Sequence, residues 1–355
     1  MRDSKPSRRD VLKVSTALAA GVVFPAPLKA AGPAPTAVSQ AMIEAARKEH
    51  VVAFYTAMEI PLAESLEKAF ETKYPGIDVR VKRSGAERVF QRIGKEEDIS
   101  IYEVDVVCST DAGHFINWKR DGLLMPYVPE DVAKHFPPEQ VDLEGMYATV
   151  FALLSPISYN TNLVRPEDAP KSFADLLDPK WRGKIIKGRP DYSGTVLTAT
   201  FQIARDLGWP FFEKLAQQNI THVQSGIERG KKLALGESAV QADGADSNLL
   251  LLKEQGASVE PVYPTEGTPM ITAPSGVFRS APHPNAARLF QSFLFGVEAQ
   301  QVLVGASALH SFHALVKERP GRVSLSAIKL MKSDPAAVEA QSEDTKARYN
   351  KIFGL

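Results

Sequence analysis

The stretch LSPISYNTNLV (Leu154–Val164), RPEDAPKSFADLLDPKWRGKI (Arg165–Ile185) and IKGRPDYSGTVLTAT (Ile186–Thr200) decides how the rest of the chain is read. Phe151 to Tyr159 is apolar, with a β-branched Ile157 and a closing Tyr159, which predicts a strand. Asn160-Thr161-Asn162 then turns the chain. Ser172 caps a short helix, with Asp175 at the capping-box position three residues on. Asp178-Pro179 ends that helix. Gly183 to Lys187 reads as another strand, and Val196 to Leu207 as a helix. Between them lies Arg189-Pro190-Asp191-Tyr192-Ser193-Gly194-Thr195. This junction brings unpaired backbone N–H groups, two hydroxyls and the positive end of a helix to one point. Such a point favours an anion, although Ser-Gly-Thr before a helix also serves as ordinary capping.

Upstream, strands are predicted at Val51–Thr56, Ile77–Val81 and Asp105–Cys108. Helices alternate with them: one opened by Pro61 and stopped by Pro75-Gly76, then Glu87–Glu97 and Ala112–Arg120. Downstream, strands are expected at Thr221–Gln224, Glu237–Ala242, Val259–Tyr263 and Thr268–Ala273. Ser225-Gly226 leads into one helix, Asp243–Ser247 caps another over Asn248–Glu254, and His283-Pro284-Asn285 caps Ala286–Leu294. Asp334–Phe353 reads as a helical tail. Alternation of this kind predicts an α/β fold, with mixed sheets flanked by helices. In such sheets ligands sit outside the carboxyl ends of the strands. Three upstream strand ends carry small polar residues: Tyr55-Thr56, Ser84-Gly85 and Ser109-Thr110-Asp111. These join Tyr159, Arg189, Ser193, Gly194 and Thr195 as candidate ligand contacts, and each also has a plain reading as a cap or turn residue.

Composition bounds the function. A chain of 355 residues is long enough for two domains. Its 44% hydrophobic and 24% charged residues are those of a soluble globular protein. A formal net charge of zero gives no electrostatic reason to expect nucleic acid. The first 31 residues read as an export signal: Arg8-Arg9 in a twin-arginine context, then a short apolar run from Val14 to Phe24, too short for a membrane span. They hold six basic and two acidic side chains, so the remainder carries 36 basic and 40 acidic groups, net −4. Residues 32–39 form a Pro/Gly/Ala-rich linker. Cys108 is the only cysteine, so no intrachain disulfide can form, and it reads as a small buried strand residue. His310 and His313 lie three apart but no nearby Cys completes a zinc pattern. No metal site, cofactor or catalytic residue is read, and neither a G-x-S-x-G elbow nor a P-loop is present.

Several ordered motifs together resemble a known family. YNTNLV (Tyr159–Val164), APKSFADLLDPKWRGKI (Ala169–Ile185), the SGT turn, PVYPTEGTP (Pro261–Pro269), APHPNAARLFQSFLFGVEAQQVL (Ala281–Leu303) and the ending KIFGL are similar to family 1 extracellular solute-binding proteins of bacterial ABC importers. The ferric-iron-type branch, which includes sugar-phosphate and phosphonate binders, is nearest. The resemblance runs from about Val51 to the C-terminus. It implies a type II periplasmic binding protein fold, with two lobes joined by a hinge. Lobe one would be 40–150 plus 271–316, and lobe two 157–267 plus 317–355, with crossings near 148–156 and 268–274. It implies a periplasmic monomer, not embedded in the membrane, that delivers its ligand to a permease driven by a partner ATPase.

The branch's iron ligands do not carry over. Its tyrosine pair falls on Asp246-Ser247, its histidine on Glu59 and its glutamate near Thr110. The ligand expected is therefore a small organic anion, phosphorylated or carboxylated, with hydroxyl or amino groups that Asp246, Glu59 and Glu266 would accept from. Fe³⁺ held by Glu59 and Asp246 with a bound anion is the alternative, since carboxylate oxygens suit a hard cation. An enzyme and a chemoreceptor accessory protein on the same fold are the remaining ones.

Overall fold

The structure, a computed structural model, describes residues 32–355 except 225 and 321. The expected leader, with Arg8 and Arg9, lies outside the described residues, as does Ser225.

Among the described residues, eleven strands build two sheets. β1 (Val51–Thr56), β2 (Asp78–Arg83), β3 (Val106–Cys108), β4 (Leu124–Met125) and β5 (Ala148–Leu154) belong to the first. β6 (Ile157–Asn160), β7 (Ile185–Gly188), β8 (Thr221–Val223), β9 (Val240–Gln241) and β10 (Val259–Val262) form the second. β11 (Met270–Phe278) returns to the first sheet, whose order is β2-β1-β3-β11-β4 with β5 also on β11. β1 pairs in parallel with β2 and β3, and β11 runs antiparallel to β3, β4 and β5. The second sheet runs β10-β6-β9-β7-β8, with β7 parallel to β8 and β9. Each sheet with its helices makes one lobe of a mixed α/β, two-lobed periplasmic binding protein fold.

The expected continuous strand from Phe151 to Tyr159 is broken. β5 ends at Leu154 and β6 starts at Ile157, in different sheets. Pro156 has no N–H for a ladder, so this is where the chain can leave one sheet for the other. The chain crosses again between β10 and β11, and a third time after His310, which bridges to Ala152 before Leu330 bridges to Thr268. The expected helical tail is likewise two helices, Pro335–Ala340 and Ser342–Phe353.

Both faces of the first sheet are covered, so β1 is buried along its whole length. Its alternate residues Val52 and Phe54 enter one core with Phe70 and Phe290; Ala53 and Tyr55 enter the other with Trp118 and Phe278. Phe70 meets Phe290 and Phe293 edge-on at 5.0 and 5.3 Å, a geometry worth about 0.5–1.5 kcal/mol per pair beyond area burial. The second lobe centres on Phe173, Phe212 and Tyr349, so the C-terminal helix closes its core.

Local chemistry sets the element ends. Ser172 Oγ accepts from Asp175 N at 3.1 Å and Asp175 accepts from Ser172 N at 3.0 Å, the reciprocal capping box expected there. The helix Pro284–Phe295 has no capping side chain of its own. Glu49 instead accepts from the N–H groups of Asn285 and Ala286 at 2.9 and 2.7 Å.

Candidate functional site

A cleft of about 620 Å³ opens between the lobes. Its walls are largely the beginnings of helices. First-turn residues of Ile60–Lys73, Ala86–Asp98, Gly194–Leu207 and Asp246–Glu254 line it, and Gly226–Ala234 adds Arg229. Each strand of these α/β units delivers its helix at the same end of the sheet, so the free N–H groups and positive helix ends converge. Ser193 caps its helix by accepting from Val196 N. The N–H groups of Gly194 and Thr195 have no partner among the described residues. A Cβ on Gly194 would lie 3.0 Å from Asp111 Cβ and 3.3 Å from the Thr110 carbonyl oxygen, so this helix start abuts the other lobe.

The floor holds a buried charge cluster. Lys187 Nζ donates to Asp243 Oδ2 at 2.7 Å, and Arg229 Nε lies 3.3 Å from Asp243 Oδ1. Gly188 N–H also donates to Asp243 Oδ1, at 3.0 Å. Burial alone would raise the Asp243 carboxyl, but the two cations overrule it and hold it at about 2. The Lys187 ammonium sits over the Tyr349 ring, 5.0 Å from its centre. Two cations thus share one carboxylate. Arg229 is only 1% exposed, borders the cleft, and its Nη1 has no hydrogen-bond partner among the described residues. An unpartnered buried guanidinium N–H is costly unless something arrives to accept from it.

The carboxylates of the cleft are already matched. Glu59 faces Arg83 at 3.6 Å, and Asp191 accepts from Arg189 at 2.8 Å and from Asn350 at 3.0 Å. Glu87 lies 3.6 Å from the His114 ring and 3.7 Å from Lys346 of the other lobe. His114 first, and then Lys346, hold the Glu87 carboxyl at about 2 against its burial. Arg88 lines the cleft with no ion-pair partner among the described residues. The floor thus offers hydrogen-bond donors, with acceptors and apolar surface around them.

The sequence profile of one family matches residues 50–306, and its description is bacterial extracellular solute-binding protein. The chain is a bacterial extracellular solute-binding protein. Among its relatives is a Sinorhizobium fredii protein provisionally named as an ABC transporter periplasmic-binding protein, 23% identical over 62% of this chain and 63% of the relative. A Salmonella typhimurium protein with the provisional name 2-aminoethylphosphonate-binding periplasmic protein is 27% identical, over 64% of this chain and 68% of its own. Among solved structures, the periplasmic binding protein AfuA of Actinobacillus pleuropneumoniae, with fructose-6-phosphate bound, superposes with a TM-score of 0.78 at 24% identity, covering 86% of this chain and 98% of AfuA. The family is one of periplasmic or extracellular transport proteins working with a permease and an ATPase, not a family of enzymes. No helix among the described residues of this binding protein is long and apolar enough to cross a membrane.

The cleft of the solute-binding protein brings together seven of the residues singled out from sequence: Glu59, Gly85, Thr110, Ser193, Gly194, Thr195 and Ser247. Ser84 and Arg189 stand beside it, the latter holding Asp191. Others face elsewhere, each for a physical reason. Tyr55 points into the core behind the sheet, where its hydroxyl donates to Glu96 at 2.9 Å; burial and Glu96 push its pKa up. Thr56 is buried and accepts from Met58 N, and Ser109 is buried with its Oγ accepting from Asp111 N. Asp111 caps helix Ala112–Arg120 through Gly113 N. Tyr159 belongs to the second lobe's core. Glu266 accepts from the N–H groups of Phe173 and Ala174, both at 3.1 Å, and so caps a turn.

Asp246 is the main correction. It is fully buried and accepts from Leu154 N at 3.0 Å, from His310 Nε2 at 3.0 Å and from Arg322. It pins the crossing segments to one another and is not among the residues that line the cleft. His310 and Arg322 lie 64 and 76 residues away, so a local reading of ADSN had nothing to reveal them. Arg229 was missed for a different reason. The strand-end rule applied upstream also holds for β8, whose end leads through Gln224 into the helix that carries Arg229.

Proposed function

We propose that this binding protein captures a small organic phosphate or phosphonate in the interlobe cleft and delivers it to an ABC permease. The observation that carries this reading is Arg229, buried at the cleft floor with an unpartnered Nη1. A phosphoryl group offers acceptor oxygens to that guanidinium and to the N–H groups of Gly194 and Thr195. The fructose-6-phosphate and 2-aminoethylphosphonate named for its relatives share this end and differ at the other. At the far end Glu59 and Asp191 are acceptors suited to hydroxyl or ammonium groups. Contacts on both lobes make ligand binding favour closure, because a ligand shifts an equilibrium only by binding the two forms differently. Residues 40–150 with 271–316, and 157–267 with 317–355, are the two bodies this motion would separate. The protein acts as a monomer, exported by the twin-arginine route.

Fe³⁺ is the weaker reading. A hard trication needs several anionic oxygens on one point. Glu59 and Asp246, the pair proposed for it, do not share a space, and the carboxylates of the cleft each face a cation. Titration calorimetry on metal-free protein with fructose-6-phosphate, 2-aminoethylphosphonate, inorganic phosphate and ferric citrate tests the two. Heat from an organophosphorus ligand, unchanged by chelator, is expected. A coloured protein that citrate bleaches, with no response to the phosphorus compounds, overturns the proposal.

A further inference from the structure

On the first lobe, away from the cleft, three side chains converge that the transport reading does not use. Asp131 and His135 stand one turn apart on the helix Glu130–His135, with Asp131 Oδ1 4.0 Å from His135 Nε2. His313 comes from the segment that follows the helix Val297–Ser307, and its ring stacks on His135 with centres 4.8 Å apart. One ligand atom from each of the three lies within 4.8 Å of the other two.

The third member is in an unusual position for a structural histidine. His313 is 2% exposed, and its Nε2 has no hydrogen-bond partner among the described residues. Leu315 N–H donates to Nδ1 at 3.2 Å, which leaves the neutral ring's proton on Nε2 with nothing to accept it. A buried polar atom left in this way is costly, and a bound cation is one way to satisfy it. The ring is also well positioned. His313 N donates to Ser311 Oγ at 3.1 Å, and Ala314 N donates to the His135 carbonyl at 3.0 Å, tying the two histidine-bearing segments together.

We propose that Asp131, His135 and His313 bind one divalent cation of the zinc class. Two imidazole nitrogens and one carboxylate oxygen suit a borderline cation, whereas calcium and magnesium select oxygen alone. Zinc bonds of about 2.0–2.1 Å hold tetrahedral donors about 3.3 Å apart. The donors here are farther apart, and rotation of the partly exposed Asp131 and His135 closes the gap. The cation takes the Nε2 lone pair of His313, the ring proton moves to Nδ1, and the Leu315 N–H exchanges its contact for water. Three protein donors leave a fourth position for a water molecule. The bound ion would clasp the helix Glu130–His135 to the segment leading back to the second lobe.

The test uses untagged full-length protein stripped with a chelator and dialysed. Titration with zinc sulfate alone is expected to show one ion per chain and to raise the melting temperature. His135→Gln and Asp131→Asn change the two partly exposed ligands, which the fold tolerates, and the double variant is expected to lose both responses. His313→Gln should lose them too, and circular dichroism reports whether it still folds. Because the site is apart from the cleft, inorganic phosphate binding should be the same in wild type and double variant, whichever anion is the natural one. A wild type that takes no zinc, or a double variant that takes it as the wild type does, overturns the proposal.

Discussion

Gly188 leaves room for Arg229: a Cβ there would stand 2.0 Å from the guanidinium Nη1 and 2.9 Å from its Cζ. The backbone of β7 is thus the wall against which the cleft's buried cation rests. Gly188→Ala must move Arg229 or the strand, and Val196 Cγ2, 2.7 Å from the same point, blocks an easy retreat. Affinity for fructose-6-phosphate or 2-aminoethylphosphonate should fall in this variant. Arg229→Met should cost more, about 2–5 kcal/mol, the usual penalty for removing one partner of a buried charged contact. Calorimetry on both variants checks this; unchanged affinity in Arg229→Met removes Arg229 from the site.

Asp246→Ala should act on stability and not first on affinity. It would leave Arg322 and His310 without their carboxylate in a buried place, and breaking such a cluster costs about 3–5 kcal/mol. Urea unfolding should show the midpoint falling. A variant as stable as the wild type but unable to bind anion would return Asp246 to the ligand.

His222 reports on the buried cluster. Burial first, and then the Lys187 charge, bring its pKa down from 6.5 to about 4. Its Nε2 meets Tyr349 Oη at 2.8 Å. The imidazole should stay neutral to about pH 4 by NMR. In Lys187→Met the larger of the two charges that lower its pKa is gone, and the midpoint should rise. A midpoint near the ordinary 6.5 in the wild type would mean that the cluster is not charged as described.

Glu87 ties pH to stability. Its folded pKa of about 2 lies below the ordinary 4.5, so the unfolded chain binds more protons between these values. The stabilisation is therefore complete above about pH 4.5 and lost as pH falls through about 2. Glu87→Gln should be less stable than wild type at pH 6, and the gap should close on acidification. A gap that is constant with pH would assign the effect to packing.

Export is tested with Arg8→Lys and Arg9→Lys together. The pair is what the twin-arginine receptor reads, so the double variant should remain in the cytoplasm on cell fractionation. Undiminished periplasmic protein would point to another route.

Much of the architecture was legible because it rests on local rules. Strand β1 was read to the residue, and the Ser172–Asp175 capping box and the Ser193 cap were visible as short motifs. Side-chain direction was not. A strand buried on both faces shows no polar alternation, so nothing in VVAFYT says that Tyr55 turns to the far core. Residues whose role depends on distant partners were equally hidden. Asp246 reads as a candidate ligand contact until Arg322 and His310 stand beside it, and nothing in the sequence around Arg229 singles it out before Gly188, Lys187 and Asp243 surround it.

In the proposed closing motion, the helix starts that face one another across the cleft would make the empty protein work against its own closure. Two of them belong to the first lobe and three to the second, and their like-signed ends repel more strongly as the gap narrows. The proposed anion between them would reverse the sign of that force and act as the counter-ion that pulls both halves inward. A neutral sugar of the same shape leaves the force repulsive, however well it packs. If the ligand is the proposed anion, rejection of uncharged solutes would reside in the hinge motion itself, and the permease would meet few closed proteins carrying the wrong cargo.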